Sequence, residues 1–131
     1  MFECLILGDS IATGIAQNRP ECVTYATVGI NTRKFVTEHI TGDLSAKTVI
    51  ISLGTNDSRN MKTLSDLFAM RQVINADRVF WVLPAKDSPA RASVITTSDS
   101  FNDTTLTIGS LSKDGIHPTS KGYKELAEKT K

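Results

Sequence analysis

Runs of apolar residues along this chain alternate with segments whose apolar positions recur every three or four residues. The runs predict five strands, which we place at residues 2–7, 22–28, 48–53, 79–83 and 104–108. The third and fourth runs are almost continuously apolar, as is typical of strands that are covered on both faces of a sheet. Strands that alternate with helices favour βαβ units, so the pattern predicts an α/β fold built on a parallel sheet.

The segments between these runs predict helices, and the strength of the helical pattern differs from one segment to the next. The last segment is the clearest, because Tyr123, Leu126 and Ala127 fall on one helical face and Pro118 suits a position in the first turn. A helix is also predicted over residues 11–17. Shorter apolar stripes precede and follow the third strand: Phe35, Val36, His39 and Ile40, and then Leu64, Leu67, Phe68 and Ile74.

Residues 85–102 have the weakest helical pattern in the chain. They are rich in Ser, Thr, Asp and Ala, and before Phe101 their only large apolar side chains are Val94 and Ile95. The fourth and fifth strands require a crossover here, but so few apolar residues offer little surface to pack against a sheet. We predict a loop with at most a short helix.

Length and charge narrow the class of protein. The 131 residues are enough for one domain, which we place at residues 1–131. The 15 basic and 14 acidic side chains give a net charge of +1, so no nucleic-acid partner is indicated. No run approaches the roughly 20 apolar residues of a membrane span. Nothing in the sequence indicates an oligomeric state.

The amino-terminal residues bear on the cellular location of the protein. Glu3 stands where a secretory signal has basic residues, and the apolar run around it is too short for such a signal. We therefore expect a cytoplasmic protein, or one that is not exported by a signal peptide of its own. In that setting Cys4 and Cys22 are predicted to be reduced and buried rather than joined in a disulfide.

Residues that could take part in catalysis follow several of the predicted strands. Ser10 follows the first strand, Gly29 the second and Asn56 the third, while Asp114 and His117 follow the fifth. Because ligands bind beyond the carboxyl ends of the strands in open α/β sheets, we expect these residues to share one edge. They offer a nucleophilic hydroxyl, an amide donor and an Asp–His pair, which are the groups that an acyl-transfer hydrolase needs.

Each of these residues also has a simpler interpretation. Ser10 opens a helical segment and suits a helix cap. Asp114 begins an Asp-Gly turn that leads to a helix-starting proline, and Asn56 suits an ordinary turn. The catalytic interpretation is favoured because all three coincidences would have to occur at one edge of the sheet.

Neither a metal nor a cofactor is expected. His39 has no accompanying ligands, so we interpret it as a helix-face or partly buried imidazole, and we interpret Trp81 as packing within the sheet. The sequence lacks the glycine-rich patterns of nucleotide-binding loops and the Gly-x-Ser-x-Gly elbow of the α/β-hydrolases.

Three sequence blocks resemble those of the SGNH hydrolases, the GDSL esterase/lipase superfamily. Gly-Asp-Ser at residues 8–10 matches the family's first block, and Gly-Thr-Asn-Asp at 54–57 matches its Gly-x-Asn-Asp block. Asp-Gly-Ile-His at 114–117 matches its Asp-x-x-His block. Gly29 corresponds to the glycine of a further block by its position after the second strand.

The resemblance implies a role for each of these residues. It implies Ser10 as the nucleophile, His117 as the general base and Asp114 as the partner of the histidine. The oxyanion hole would consist of the backbone N–H groups of Ser10 and Gly29 and the side-chain amide of Asn56. The resemblance further implies a three-layer fold, with a five-stranded parallel sheet in the order 2-1-3-4-5 and helices on both faces.

Together these features predict a serine esterase that acts on short acyl groups, above all acetyl, on a small-molecule or carbohydrate ester. So short a chain has few residues for a lid or an acyl tunnel, and it shows no spare apolar segment to hold a long acyl chain. One alternative is a lysophospholipase or thioesterase of the same fold. Another is a non-catalytic module that binds a carbohydrate or a protein, and a flavodoxin-like nucleotide-binding domain is the weakest.

Overall fold

The structure is a computed structural model that describes residues 1–131, and in it five strands alternate with five helices. The strands are β1 (Phe2–Gly8), β2 (Val23–Ala26), β3 (Ser45–Ser52), β4 (Asn75–Val82) and β5 (Thr104–Leu106). The helices are α1 (Ser10–Gln17), α2 (Thr32–His39), α3 (Thr63–Val73), α4 (Arg91–Ser100) and α5 (Ser120–Lys129). None of the five helices combines the length and the apolar character that a membrane span requires.

All five strands belong to one parallel sheet in the order β2-β1-β3-β4-β5. This confirms the predicted α/β class and the predicted strand order. The chain runs from β1 outward to β2, returns past β1 to β3, and then continues to β4 and β5. This reversal beside β1 brings the carboxyl ends of β1, β2 and β3 together at one edge of the sheet, where ligands bind in open α/β folds.

Helices cover both faces of the sheet. On one face Ile6, Ile50 and Phe80 of the strands pack with α1 and α5, which contribute Ile15 and Leu126 among others. On the opposite face the alternate strand residues pack with α2, α3 and α4; the buried residues include Leu7, Ile51, Trp81, Phe35, Leu67 and Val94. Because successive strand residues point to opposite faces, strands buried on both sides need nearly continuous apolar sequence.

The crossover between β4 and β5 corrects the prediction for residues 85–102. Instead of a loop with at most a short helix, it contains the ten-residue helix α4. Val94, Thr97 and Ser98 are buried, and the Thr97 hydroxyl donates to the Ser93 carbonyl at 2.8 Å. The helix therefore buries hydroxylated residues beside Val94, and the Thr97 hydroxyl is satisfied by the backbone of its own helix. A count of large apolar residues does not detect a buried face of this kind.

Several element ends also differ from the prediction. β2 and β5 are shorter than predicted, while β3 and β4 begin three and four residues earlier, at Ser45 and Asn75. Leu64, assigned to the buried stripe of α3, is exposed. Pro118 lies outside α5, in an isolated bridge with Leu111, and the Thr119 side chain caps the helix instead.

Cys4 and Cys22 form a disulfide, so the prediction of two reduced cysteines is wrong. The register explains the pairing, because Leu5 of β1 lies opposite Val23 of β2 and the residue before each is therefore adjacent to the other. The Cα atoms of the two cysteines are 4.8 Å apart, within the range that a disulfide spans. Disulfides persist in oxidising compartments, whereas the amino-terminal sequence had suggested the cytoplasm.

The side chains of Trp81 and His39 pack against other residues of the fold, as the sequence suggested. Trp81 is fully buried, and its Nε1–H donates to Asp103 at 2.9 Å. The same carboxylate accepts two hydrogen bonds from Arg71, at 2.7 and 2.9 Å. The His39 ring packs between Tyr25 and Phe35, with centroid distances of 5.4 and 4.4 Å.

Candidate active site

The turn from β1 into α1 places Ser10 at the first residue of a helix. Gly8 has φ +142°, and a Cβ on it would lie 1.8 Å from the Ser52 carbonyl oxygen, so only glycine allows β1 and β3 to approach this closely. The approach lets the Asp9 N–H donate to Ser52 at 3.0 Å. Asp9 then caps α1 by accepting from the Ile11 N–H at 3.0 Å. Because Asp9 is the cap, the Ser10 hydroxyl is available for another contact.

That contact is with His117. Ser10 Oγ and His117 Nε2 are 2.9 Å apart, and His117 Nδ1 is 2.7 Å from Asp114 Oδ2. The three side chains thus form one continuous hydrogen-bonded chain from hydroxyl to imidazole to carboxylate. In this arrangement the imidazole can take the hydroxyl proton on Nε2 while the carboxylate holds Nδ1–H in place.

Asp114 serves both the turn and the histidine. Its Oδ1 accepts from the backbone N–H groups of Ile116 and His117, at 2.8 and 2.9 Å, and from the Ser112 hydroxyl at 2.9 Å. Its Oδ2 faces the imidazole. These hydrogen bonds, first of all those from the His117 backbone and ring, hold the pKa of Asp114 well below its usual value. The carboxylate is therefore ionised over the working range of an enzyme near neutral pH.

Two backbone N–H groups at this edge have no acceptor within the protein. One belongs to Ser10, which as the first helical residue has no intrahelical partner, and the other belongs to Gly29 in the loop after β2. Gly29 has φ +81°, a conformation that glycine adopts without strain, and no atom lies within 4 Å of where a Cβ would stand. Donors of this kind can stabilise an oxyanion.

Asn56 connects the loop after β3 with the loop after β2. Its Nδ2 donates to the Ile30 carbonyl at 3.0 Å, and since an amide nitrogen carries two hydrogens, the second remains for a ligand. The neighbouring Asp57 is buried and accepts from the Thr32 N–H and the Thr63 hydroxyl, both at 2.8 Å. Asp57 therefore holds the Asn56 loop against the loop that contains Gly29.

The carboxyl group of Asp9 is fully buried beneath the nucleophile. Its Oδ1 accepts from Ile11 and from the Ser52 hydroxyl, at 3.0 and 3.1 Å, while its Oδ2 has no hydrogen-bond partner. Burial raises the pKa of Asp9 to about 6, and these hydrogen bonds oppose the rise only in part. The folded protein therefore keeps the Asp9 carboxyl protonated to a higher pH than an exposed aspartate would be.

The structure brings Ser10, His117 and Asp114 into direct contact and places Gly29 and Asn56 at the same edge of the sheet. Sequence reasoning assigned no role to Asp9, Ser52 or Asp57. For Asp9 and Asp57 a signal was available, because each is a charged residue directly beside a candidate catalytic residue and each follows a buried strand. Ser52 carried no such signal, since its role depends on β3 lying next to β1.

Metal-ligating side chains cluster only at the opposite edge of the sheet. There Cys4, Cys22 and Glu21 lie together, but both sulfurs are already joined in the disulfide.

Solved structures resemble this chain over nearly its full length. A GDSL-like lipase from Bacteroides thetaiotaomicron has a TM-score of 0.68 and 18% identity, covering 95% of this chain and 83% of its own. The catalytic domain of peptidoglycan O-acetyltransferase A from Streptococcus pneumoniae has a TM-score of 0.65 and 17% identity, covering 97% and 89%. A two-domain esterase active on acetylated mannans, co-crystallised with mannopentaose, has a TM-score of 0.60 and 13% identity, covering 96% and 48%.

These neighbours all have SGNH-type folds, and this chain has the same fold. At such low identity the likeness establishes the architecture, and the activities just named are those of the neighbours. No protein-family model and no curated protein matches the chain.

Proposed function

We propose that this protein is a serine esterase that hydrolyses short-chain acyl esters, with acetylated carbohydrates as its substrate class. The observation that carries the proposal is the unbroken hydrogen-bonded chain from Ser10 through His117 to Asp114. Backbone N–H groups without acceptors lie at the same edge of the sheet. A nucleophile joined to a base, a base joined to a carboxylate and nearby oxyanion donors are the parts of an acyl-transfer site.

In the first half of the reaction, Ser10 Oγ attacks the ester carbonyl carbon and His117 Nε2 takes the hydroxyl proton. Asp114 keeps the other imidazole nitrogen protonated and stabilises the imidazolium that forms. The oxyanion accepts hydrogen bonds from the N–H groups of Ser10 and Gly29 and from the second N–H of the Asn56 amide. The imidazolium then gives its proton to the departing alcohol oxygen, which leaves an acyl group on Ser10.

In the second half, water attacks the acyl carbonyl while His117 accepts a proton from it. The tetrahedral intermediate collapses, the carboxylic acid departs, and Ser10 regains its proton from the imidazolium. The same donors stabilise the second oxyanion. The reaction as written requires only residues of this chain and water.

Two observations support a short acyl group on a sugar. Four of the seven residues that line the cleft beside the catalytic residues carry polar side chains, which suits the sugar half of such an ester. The second observation is a structural neighbour that is active on acetylated mannans.

The test is hydrolysis of 4-nitrophenyl acetate, followed by labelling with a serine-reactive fluorophosphonate and location of the adduct by mass spectrometry. We expect turnover with release of free acetate, and an adduct on Ser10. Ser10→Ala should remove both, while the matched variant Ser120→Ala, at an exposed position, should keep both. Wild-type protein without turnover or adduct would contradict the proposed function. A series from acetyl to octanoyl esters should show kcat/KM highest at acetyl.

A further inference from the structure

A cleft of about 310 Å³ opens beside the catalytic residues, between the loops that follow β3, β4 and β5. Thr55 of the first loop, Asp87 and Ser88 of the second and Asp114 to Ile116 of the third form its walls. Its volume is at the lower end of the range for small-molecule sites. The roles assigned above account for Asp114 but not for the polar side chains of Thr55, Asp87 and Ser88 in this cleft.

The chemistry of acyl transfer decides which half of an ester lies on this side. The carbonyl oxygen must face the N–H groups of Ser10 and Gly29, whereas the leaving oxygen must reach His117 Nε2, because that nitrogen returns the proton. The segment that immediately precedes His117, Asp114 to Ile116, forms one wall of the cleft. An alcohol that departs beside the histidine is therefore directed into this space.

The walls fit a polyhydroxy alcohol. The Thr55 hydroxyl is buried and has no hydrogen-bond partner in the protein, and the exposed Asp87 carboxylate makes no hydrogen bond to the chain. A buried hydroxyl without a partner carries a desolvation cost that a ligand hydroxyl would offset. Ile116 is 38% exposed and offers an apolar surface, as the face of a sugar ring requires.

The same walls disfavour other alcohols. A fatty alcohol or a diacylglycerol would leave the polar side chains of Thr55, Asp87 and Ser88 without hydrogen-bond partners. The carboxylates of Asp87 and Asp114 would repel a phosphate-bearing alcohol such as a lysophospholipid or a nucleotide. A neutral sugar in the first cavity meets neither objection.

A second cavity of about 320 Å³ adjoins the first, since the two share Ala85, Asp87 and Gly115 in their walls. It extends toward Lys86 and Arg91. Two adjoining cavities of similar size form a groove that is longer than one sugar ring needs. The groove fits an oligosaccharide better than a monosaccharide.

We propose that the alcohol half of the substrate is a neutral oligosaccharide that binds in this groove, with Thr55, Asp87 and Ile116 as the residues that contact its sugar rings. The assignment rests on the proposed ester hydrolysis, because the position of the leaving oxygen orients the substrate. Thr55 and Asp87 are specificity residues for the alcohol, and the oxyanion donors hold the acyl carbonyl.

The experiment compares 4-nitrophenyl acetate with O-acetylated xylose and O-acetylated xylotriose. For the wild-type protein, kcat/KM should rise about tenfold from the acetylated monosaccharide to the trisaccharide, because the longer sugar fills a further part of the groove. Asp87→Ala and Thr55→Val should each lower the ratio of kcat/KM for the acetylated trisaccharide to that for 4-nitrophenyl acetate by about five- to tenfold. Most of the change should appear in KM, since these contacts also exist in the ground state.

Matched controls are Asp77→Ala and Thr105→Val, which change exposed residues outside both cavities. Their ratios should equal that of the wild type. If the cleft variants also leave the ratio unchanged, or if the trisaccharide is no better than the monosaccharide, the alcohol lies elsewhere and the inference is wrong.

A binding measurement separates this inference from the proposed function. Unacetylated xylotriose should shift the amide NMR signals of Gly115 and Ile116 whether or not the protein hydrolyses any ester. A protein that hydrolyses 4-nitrophenyl acetate but shows no such shifts would retain the proposed function and lose the groove assignment. Shifts without any ester hydrolysis would support the sugar site and contradict the esterase.

Discussion

The two edges of the sheet use polar groups in opposite ways. At the carboxyl edge, Ser10 and Gly29 have N–H groups without acceptors, and the His117 and Asp114 side chains are 39% and 47% exposed. At the amino edge, the buried Arg19 donates to Glu21, to the Ala127 carbonyl and to the Thr130 hydroxyl, at 2.7, 3.1 and 2.8 Å. The disulfide lies at the same amino edge.

This contrast distinguishes polar groups that are paired within the chain and stabilise the fold from donors that have no acceptor in the chain. At the amino edge the charged groups bind other parts of the chain, and Arg78 similarly joins Thr48 to the carbonyl of Lys131. At the carboxyl edge, donors remain unpaired within the chain, and under the proposed function their partner is the substrate. Changes at the amino edge should therefore alter stability, and changes at the carboxyl edge should alter catalysis.

The largest effect is expected from His117→Ala. Without the general base, kcat for 4-nitrophenyl acetate should fall by about 10⁴–10⁶, because members of a catalytic triad act as a unit. The melting temperature should change little, since the half-exposed ring contributes little to the core. His39→Ala is the matched control, because that ring packs on Tyr25 and Phe35 and should lower stability while preserving kcat. Equal losses of kcat in both variants would remove the distinction between the two histidines.

A smaller effect on catalysis is expected from Asn56→Ala. Loss of one oxyanion donor should lower kcat by about 10²–10³ with little change in KM, because the interaction is made mainly in the transition state. The loss of the bond to the Ile30 carbonyl should cost only about 1 kcal/mol of stability. A defect confined to KM would show that Asn56 contacts the substrate in its ground state instead.

Removal of the disulfide tests the opposite edge. The bond joins residues 18 apart, so the double variant Cys4→Ala, Cys22→Ala should lose about 3 kcal/mol of unfolding free energy, measured by urea denaturation. The kcat of the folded fraction should stay within about twofold, because Cys4 lies four strand positions, roughly 13 Å, before the end of β1 at Gly8. A large fall in kcat without a fall in stability would contradict the separation of the two edges.

The smallest effect is the pH dependence of stability that is due to Asp9. This residue lies beneath the carboxyl edge but is as fully buried as a core residue. Burial raises the folded-state pKa of Asp9 to about 6 from its ordinary value of 3.8, so the folded protein binds the proton more tightly than the unfolded chain. Its contribution to stability is complete below about pH 4 and is lost as the pH rises to about 6, by about 2–3 kcal/mol.

Asp9→Asn should flatten the stability profile between pH 4 and 6, measured by urea unfolding at a series of pH values. Asp114 has a lowered pKa, so its contribution has the opposite sign and is lost only as the pH falls below its ordinary value of 3.8. The two groups therefore act in different ranges of pH. An unchanged slope between pH 4 and 6 in the variant would show that Asp9 is ionised throughout that range.

The strand and helix pattern could be predicted because it depends on local sequence. Near-continuous apolar runs predicted β3 and β4, and the motif residues followed the strands that were predicted to carry them. The helix α4 could not be predicted in the same way. Its buried face consists of Val94, Thr97 and Ser98, and these residues become a packing surface only because α3 and the sheet lie against them.

The sequence by itself determined the fold class, the strand positions and the residue types that meet at the carboxyl edge, because burial on both faces of a sheet imposes a pattern on each strand. Tertiary structure decided the contacts that join distant segments. The bond between Cys4 and Cys22 follows from the register of β1 with β2, and the contact of Ser10 with His117 spans 107 residues. Such pairings depend on which elements lie side by side, and no local pattern of apolar and polar residues records that arrangement.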